Sequence, residues 1–224
     1  MPSSENWAKW SKYLDKLIIP SVFATIRMVI ATVIFGFAMG FGLAILLTLY
    51  GPDGLNSKKK VYKTVNFIVN AIRSFPILIL IVAILPITRM IIGTTIGEKA
   101  AILPLTIAAT AFIARMLENS FKAVDKQLIE AARSFGASNM QIIFKVIVKE
   151  SIPSIVSTIT IAIINNIAGS TIAGAVGGGG LGAIALNYGY QSFNNPILYT
   201  SVFILFIMVQ ITQSVGNWLY KKAL

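Results

Sequence analysis

The chain has 224 residues, of which 56% are hydrophobic and 12% charged, with a mean hydropathy of +0.78 and a formal net charge of +11. Such a composition lies outside the range of soluble domains and inside that of polytopic membrane proteins. The basic residues stand in short clusters beside apolar runs, which suits an anionic membrane surface and speaks against a nucleic-acid partner. Neither cysteine nor histidine occurs, so disulfides, thiolate metal centres and imidazole catalysis are excluded.

The N-terminus is polar and mixed in charge, with no short apolar core before a small-residue cleavage site, so the first spanning helix is expected to drive insertion. Residues 7–19 mix Trp, Tyr, Lys and aliphatic side chains. That mixture predicts a short helix lying on the outer interface, with a disordered tail as the alternative. Residues 1–20 are accordingly set apart as an extracytoplasmic interfacial segment.

Crossing the hydrocarbon core takes about 20 apolar residues in a helix. Five stretches qualify, so the expected fold class is all-α, a polytopic membrane protein with five transmembrane helices at residues 22–49, 65–87, 100–114, 152–175 and 197–218. Gly36 and Gly40 make a small-xxx-small pair in the first span. They allow close helix approach, within one subunit as the main reading and across a dimer as the second. Arg27 lies near a span end and can snorkel. Arg73 lies deeper and precedes Pro76, which interrupts the hydrogen-bond ladder of a helix. It either shapes the vestibule of a pathway or snorkels as well.

Between the third and fourth spans, the chemistry turns polar and helical. Asp125 is placed to cap a helix carrying Leu128, Ile129, Ala132 and Phe135 on one face, and Gly136 stands where a left-handed terminator is wanted. Ser138 with Gln141 reads as a capping box that opens a second helix leading into the fourth span. A membrane protein gains from a charged helix-turn-helix of this kind when a soluble partner docks on it. Ala131 and Ala132 permit close approach, and Glu130 offers an ionic contact at the rim.

Asn165, Asn166, Ser170 and Thr171 form the densest polar group in any span. They border a central pathway if two copies of the span line one, with Ile172 in an apolar gate; interhelical hydrogen bonding is the equal alternative. The glycines at 177, 179 and 182 satisfy G-x-G-x-x-G, but they follow an apolar helix instead of a strand, so a tight or re-entrant turn replaces the dinucleotide reading. No phosphate-binding G-x-x-x-x-G-K-[ST] segment is present, so the chain is not expected to cradle ATP phosphates in that way. The loops at 50–64 and 115–151 and the tail after the fifth span carry most of the lysine and arginine. The positive-inside rule therefore places the N-terminus outside and the C-terminus in the cytoplasm.

Glu130-Ala131-Ala132, three residues, then Gly136 resembles the EAA motif of bacterial ABC-importer permease subunits. Arg73-Ser74-Phe75-Pro76, the run from Pro104 to Ala109, Phe112-Ile113-Ala114-Arg115, the glycine-rich run from Ala173 to Gly182 and Tyr188-Gly189-Tyr190 are similar to the methionine-importer permease in particular. The resemblance covers residues 21–218 and implies the type I ABC importer permease fold, with a coupling segment at 119–151 and a cytoplasmic tail at 219–224. It further implies coupling to an ATPase through Glu130, Ala131, Ala132, Arg133 and Gly136. The pathway residues to be expected are Arg73, Asn165, Asn166, Ser170 and Ile172. The partners implied are two ABC ATPase subunits, a second copy of the chain and an extracytoplasmic substrate-binding protein. No cofactor or metal is expected in this chain itself, ATP and Mg being bound by the ATPase, and no catalytic residue is expected.

One departure from the family pattern is Lys149, where a proline usually follows the motif glycine by about thirteen residues; Pro153 is retained and is expected to make the turn into the fourth span. The alternatives are a permease for another small amino acid or an osmoprotectant and, from a different class, a secondary transporter or channel. The last would need acidic residues in the spans and an internal repeat, and the sequence offers few of the first and none of the second.

Overall fold

The computed structural model describes residues 13–224, and among these every regular element is helical. Helix α1 (Ile19–Tyr50) continues directly from a π-helical turn at Leu14–Ile18. Helix α2 (Lys59–Ser74) is followed by α3 (Ile77–Ile92), and α4 runs over Glu98–Lys122. The short α5 (Lys126–Ser134) leads to α6, a single rod made of Asn139–Ile142, a π turn at Ile143–Ile147 and Val148–Glu150. Helix α7 spans Ile152–Ala175. Helix α8 (Gly180–Ala183) runs into a π segment at Ile184–Tyr190, and α9 (Asn195–Ala223) ends the chain.

Four helices, those beginning at Leu14, Glu98, Ile152 and Asn195, are each long and apolar enough to cross a membrane. Helices α2 and α3 are apolar and long enough for a fifth crossing only when taken together, and they are bent by 111° at their junction. The sequence reads residues 65–87 as one span whose helical ladder Pro76 interrupts. The structure breaks it because the Pro76 ring forces Phe75 out of the helical region, to φ −80° and ψ 132°. Ser74 Oγ donates to the Asn70 carbonyl at 2.9 Å, satisfying one of the acceptors left open at the end of α2.

The third span also differs from expectation. It continues eight residues beyond Ala114, because Arg115, Glu118 and Lys122 satisfy one another on the helix. The residues expected to form the interfacial helix at 7–19 lie partly outside those described. From Tyr13 onward the chain is helical into α1, and Ile18 is buried beside Leu181, Ile184 and Ile197.

Packing divides the chain into two compact units. One comprises the chain up to Thr32, Pro76–Thr106 and Ile163–Thr212. Its buried centre is Met28, Ile81, Ala101, Leu105 and Ala173. The glycine-rich run forms a tight turn here, with positive φ at Gly177, Gly179 and Gly180. The Gly97 amide donates to the Gly177 carbonyl at 2.8 Å, and the Leu181 amide donates to Thr25 Oγ1 at 2.9 Å. The turn expected in place of a dinucleotide motif is what the chain forms.

The other unit comprises Val33–Phe75, Ile107–Ala162 and Gln213–Leu224. Its core joins Ala44 of α1 and Ile113, Leu117 and Phe121 of α4 to Ile142, Ile143 and Ile147 of α6. The π turn contributes directly, since Ile143 and Ile147 within it are both buried in this core. Gly36 and Gly40 lie against α4 in this unit. A Cβ on Gly36 would stand 2.9 Å from Ala109 Cβ, and one on Gly40 would stand 2.9 Å from the Thr110 carbonyl oxygen. The small-residue pair thus serves packing within the chain, as its main reading held.

Candidate functional site

The helix-turn-helix between α4 and α7 is built almost wholly by local chemistry. Asp125 Oδ1 accepts the Gln127 amide at 2.9 Å and caps α5. At the other end Gly136 takes φ +76°, a conformation only glycine adopts without strain. Its amide donates to the Arg133 carbonyl at 2.9 Å, and the Ala137 amide reaches back to the Ala132 carbonyl at 3.1 Å. Those two bonds make a Schellman end, closed by apolar packing of Ala132 and Ala137 on the same core. The capping box follows as expected: the Ser138 amide donates to Gln141 Oε1 at 2.8 Å, and the Gln141 amide donates to Ser138 Oγ at 3.3 Å.

Packing sorts the side chains of α5. Ile129 and Ala132 lie on the core, while Lys126, Gln127, Glu130, Ala131, Arg133 and Ser134 are exposed. Of the five residues assigned to coupling, Glu130, Ala131 and Arg133 are presented outward, Ala132 seats the helix, and Gly136 ends it. Leu128 and Phe135 do not join the buried face as expected. Leu128 is exposed and Phe135 is 92% exposed. Phe135 has left the helix at φ −83° and ψ 11°, so the helical periodicity that placed it inward no longer applies. The helix is thereby left with a bare aromatic ring at its tip.

Lys149 is exposed in the last turn of α6, and the rod ends at Ser151, with φ −88° and ψ 3°. Pro153 sits in the first turn of α7, where its missing N–H costs no intrahelical bond. The turn therefore falls at Ser151, with Pro153 starting the next helix.

Sequence reasoning missed the most concentrated electrostatics among the described residues. The side chain of Glu118 is fully buried, and it accepts from Arg115 Nη1 at 2.5 Å and Lys122 Nζ at 2.6 Å. The Tyr62 hydroxyl lies at 3.5 Å, with its ring beneath the Lys122 ammonium. Arg115 Nη2 also donates to Asn66 Oδ1 at 2.6 Å and Asn70 Oδ1 at 2.9 Å, both on α2. The network clamps α2 to the end of α4 one turn before the α5 cap. A signal was available: Arg115, Glu118 and Lys122 are spaced i, i+3 and i+7, the interval at which charges on one helix meet.

Arg27, read as a snorkelling residue, has a partner as well. Its Nε lies 3.2 Å from both carboxylate oxygens of Glu98, and its Nη2 lies 2.9 Å from Oε2.

Of the five expected pathway residues, Arg73 belongs to one compact unit and Asn165, Asn166, Ser170 and Ile172 to the other. Arg73 is exposed in the last turn of α2. On α7, Asn165 is exposed whereas Asn166 and Ser170 are buried, Ser170 donating to the Ile167 carbonyl at 2.7 Å. Ile172 packs against the core around Met28 and Leu105. No group of acidic residues among those described is arranged to hold a metal ion.

Helices long and apolar enough to cross a membrane, with a stiffly capped polar helix between two of them that offers small and charged side chains outward, fit an importer permease. The chain belongs to the family of binding-protein-dependent transport system inner membrane components, whose pattern it matches over residues 40–222. Among curated relatives, the probable D-methionine transport system permease protein MetI of Vibrio cholerae is 39% identical over 215 residues, 96% of either chain. The methionine import system permease protein MetP of Bacillus subtilis is 41% identical over 172 residues, covering 77% of this chain and 78% of its own. An inward-facing structure of the MetNI methionine ABC transporter matches at a TM-score of 0.91, with 38% identity and full coverage of both chains.

Proposed function

We propose that this chain is the membrane-spanning permease of an ATP-driven methionine importer, and that α5 is the element through which a separate ATPase drives it. The observation that carries this is α5 itself. It is capped at both ends, seated on the core by Ile129 and Ala132, and turns Glu130, Ala131, Arg133 and Phe135 outward. A helix held that firmly transmits force, and a bare phenylalanine at its tip provides an apolar anchor of the kind that dominates docking energies.

Two copies of the chain pair with two ATPase subunits and receive methionine from an extracytoplasmic binding protein. The lysine clusters at 58–63 and 221–222 support an orientation with α5, the loop at 51–58 and the C-terminus in the cytoplasm. ATP closure of the ATPase dimer moves the docked helices, the bundle opens outward, and hydrolysis returns it to the inward-facing state. The chain contributes no catalytic group: ATP and Mg are held by the ATPase. The exposed Asn165 and Arg73 are the expected pathway residues with side chains free to meet substrate.

The test is co-expression with the ATPase and binding protein of a methionine importer, followed by uptake of labelled methionine and of a panel of other small amino acids and osmoprotectants. Glu130→Arg is expected to abolish co-purification of the ATPase and methionine uptake together. Unchanged assembly and uptake in that variant would remove the docking role of α5. Uptake of another member of the panel in place of methionine would replace the substrate.

A further inference from the structure

The loop joining α1 to α2 and the docking helix α5 enclose a groove of ≈ 480 Å³. Gly51, Asp53 and Leu55 form one wall, Lys126, Glu130 and Arg133 the other, and Phe121 and Ile129 line its base. Both walls belong to the same compact unit and rest on the same core, Leu55 packing beside Ile129 and Ala132 on the cluster around Phe121 and Ile142.

The loop is a preformed surface. Its backbone folds back on the end of α1, the Gly54 amide donating to Gly51 at 3.0 Å and the Asn56 amide to Leu49 at 2.9 Å. A Cβ on Gly54 would stand 2.5 Å from the carbonyl oxygens of Thr48 and Leu49. The Lys58 ammonium lies over the Tyr50 ring, 5.2 Å from its centroid. A loop this constrained loses little entropy when a partner binds it.

The charges on the rim are uncommitted. Asp53 is exposed on the loop, and Lys126, Glu130 and Arg133 form one stripe of α5 at i, i+4 and i+7. Among the described residues none of these four joins an ion pair, the pairs there joining Arg27 to Glu98 and both Arg115 and Lys122 to Glu118. An apolar base beneath unpaired charges of both signs is the make-up of a protein interface, with its apolar centre and polar rim.

We infer that the ATPase subunit docks on two elements of this chain, α5 and the loop at 51–58, and that the groove between them receives one segment of the ATPase. That segment carries an apolar side chain for the base, a basic group opposite Asp53, and an acidic group opposite Lys126 and Arg133. The inference rests on the docking role proposed for α5, with which the groove is continuous. A contact on both sides of the groove would fix the rotation of the ATPase about α5, which a single helix leaves free.

Permease in nanodiscs, titrated with purified ATPase, provides the test. Asp53→Lys alters an exposed side chain with no structural partner and is expected to weaken ATPase binding by about fivefold or more. Glu130→Arg serves as the reference for α5, and Lys63→Glu, on the exposed face of α2, as a control for general charge effects. Backbone amides at 51–58 are expected to gain protection from hydrogen exchange when ATPase is added. Undiminished binding of Asp53→Lys and unchanged exchange at 51–58, with Glu130→Arg still defective, would overturn the groove and leave the docking role of α5 standing. Undiminished binding in both variants would overturn the two together. An equal loss in Lys63→Glu would assign the effect to net charge and also overturn the groove.

Discussion

Replacing Glu118 tests whether the buried clamp holds α2 against α4. The side chain has no exposure, and its cationic partners Arg115 and Lys122 are 16% and 43% exposed. Glu118→Ala therefore strands one largely buried guanidinium and one ammonium that water still reaches. Removing one partner of a buried pair costs about 3–5 kcal/mol, because the remaining charge is left uncompensated. Here the lower end applies. Arg115 keeps its bonds to Asn66 and Asn70, and the Lys122 contribution is that of a screened surface pair, about 0–1 kcal/mol. We expect a loss of about 3 kcal/mol, which for a chain of this size lowers the melting temperature by about 6–12 °C. Thermal unfolding of the detergent-solubilised protein, followed by intrinsic tryptophan fluorescence, measures it. The Arg115→Met/Glu118→Ala double variant is expected to lose less than the sum of its singles, since it leaves no stranded guanidinium. A melting temperature for Glu118→Ala within about 2 °C of the parent, or strict additivity in the double variant, would refute the clamp.

Two other substitutions address neighbouring features. A Cβ on Gly216 would collide with the Thr160 side chain, so Gly216→Leu is expected to force α9 from α7 and destabilise by about 2 kcal/mol or more, with Thr160→Ala/Gly216→Ala recovering much of it in the same melting assay. The Arg27–Glu98 pair, with side chains 61% and 30% exposed, is expected to contribute at most about 1 kcal/mol. Arg27→Gln should then melt within a few degrees of the parent, and the difference should shrink further in 1 M salt; a large, salt-insensitive loss would show that the pair does more than join two surfaces.

The features legible in the sequence are those whose cause lies within a few residues or in bulk hydrophobicity. Asp125, Gly136, Ser138 and Gln141 act on backbone groups two to five positions away, so both ends of α5 and the start of α6 could be written down in advance, and the structure has them. Four long apolar runs likewise declared four spans, because burying a backbone in hydrocarbon leaves a helix no alternative. Pro76 announced a break, though not its 111° angle. Phe135 was misplaced because periodicity was carried one residue beyond a helix that had already ended.

What only the tertiary structure decided concerns partners distant in sequence. Arg115 finds Asn66 and Asn70 across separations of 49 and 45 residues, and nothing local specifies such a meeting. The helical spacing of Arg115, Glu118 and Lys122 could predict that the three charges pair, yet not that they are buried against α2, where the energy of the arrangement lies. In the same way the loop at 51–58 and the helix α5 are separate polar stretches in the chain, and become two walls of one groove only because Leu55 and Ile129 share a core. The sequence by itself determined the class of protein and the local shape of α5, through caps, turns and apolar length. The fold decided which charges are buried and which remain free at the surface, because burial is a property of neighbours that the chain acquires only when it closes on itself.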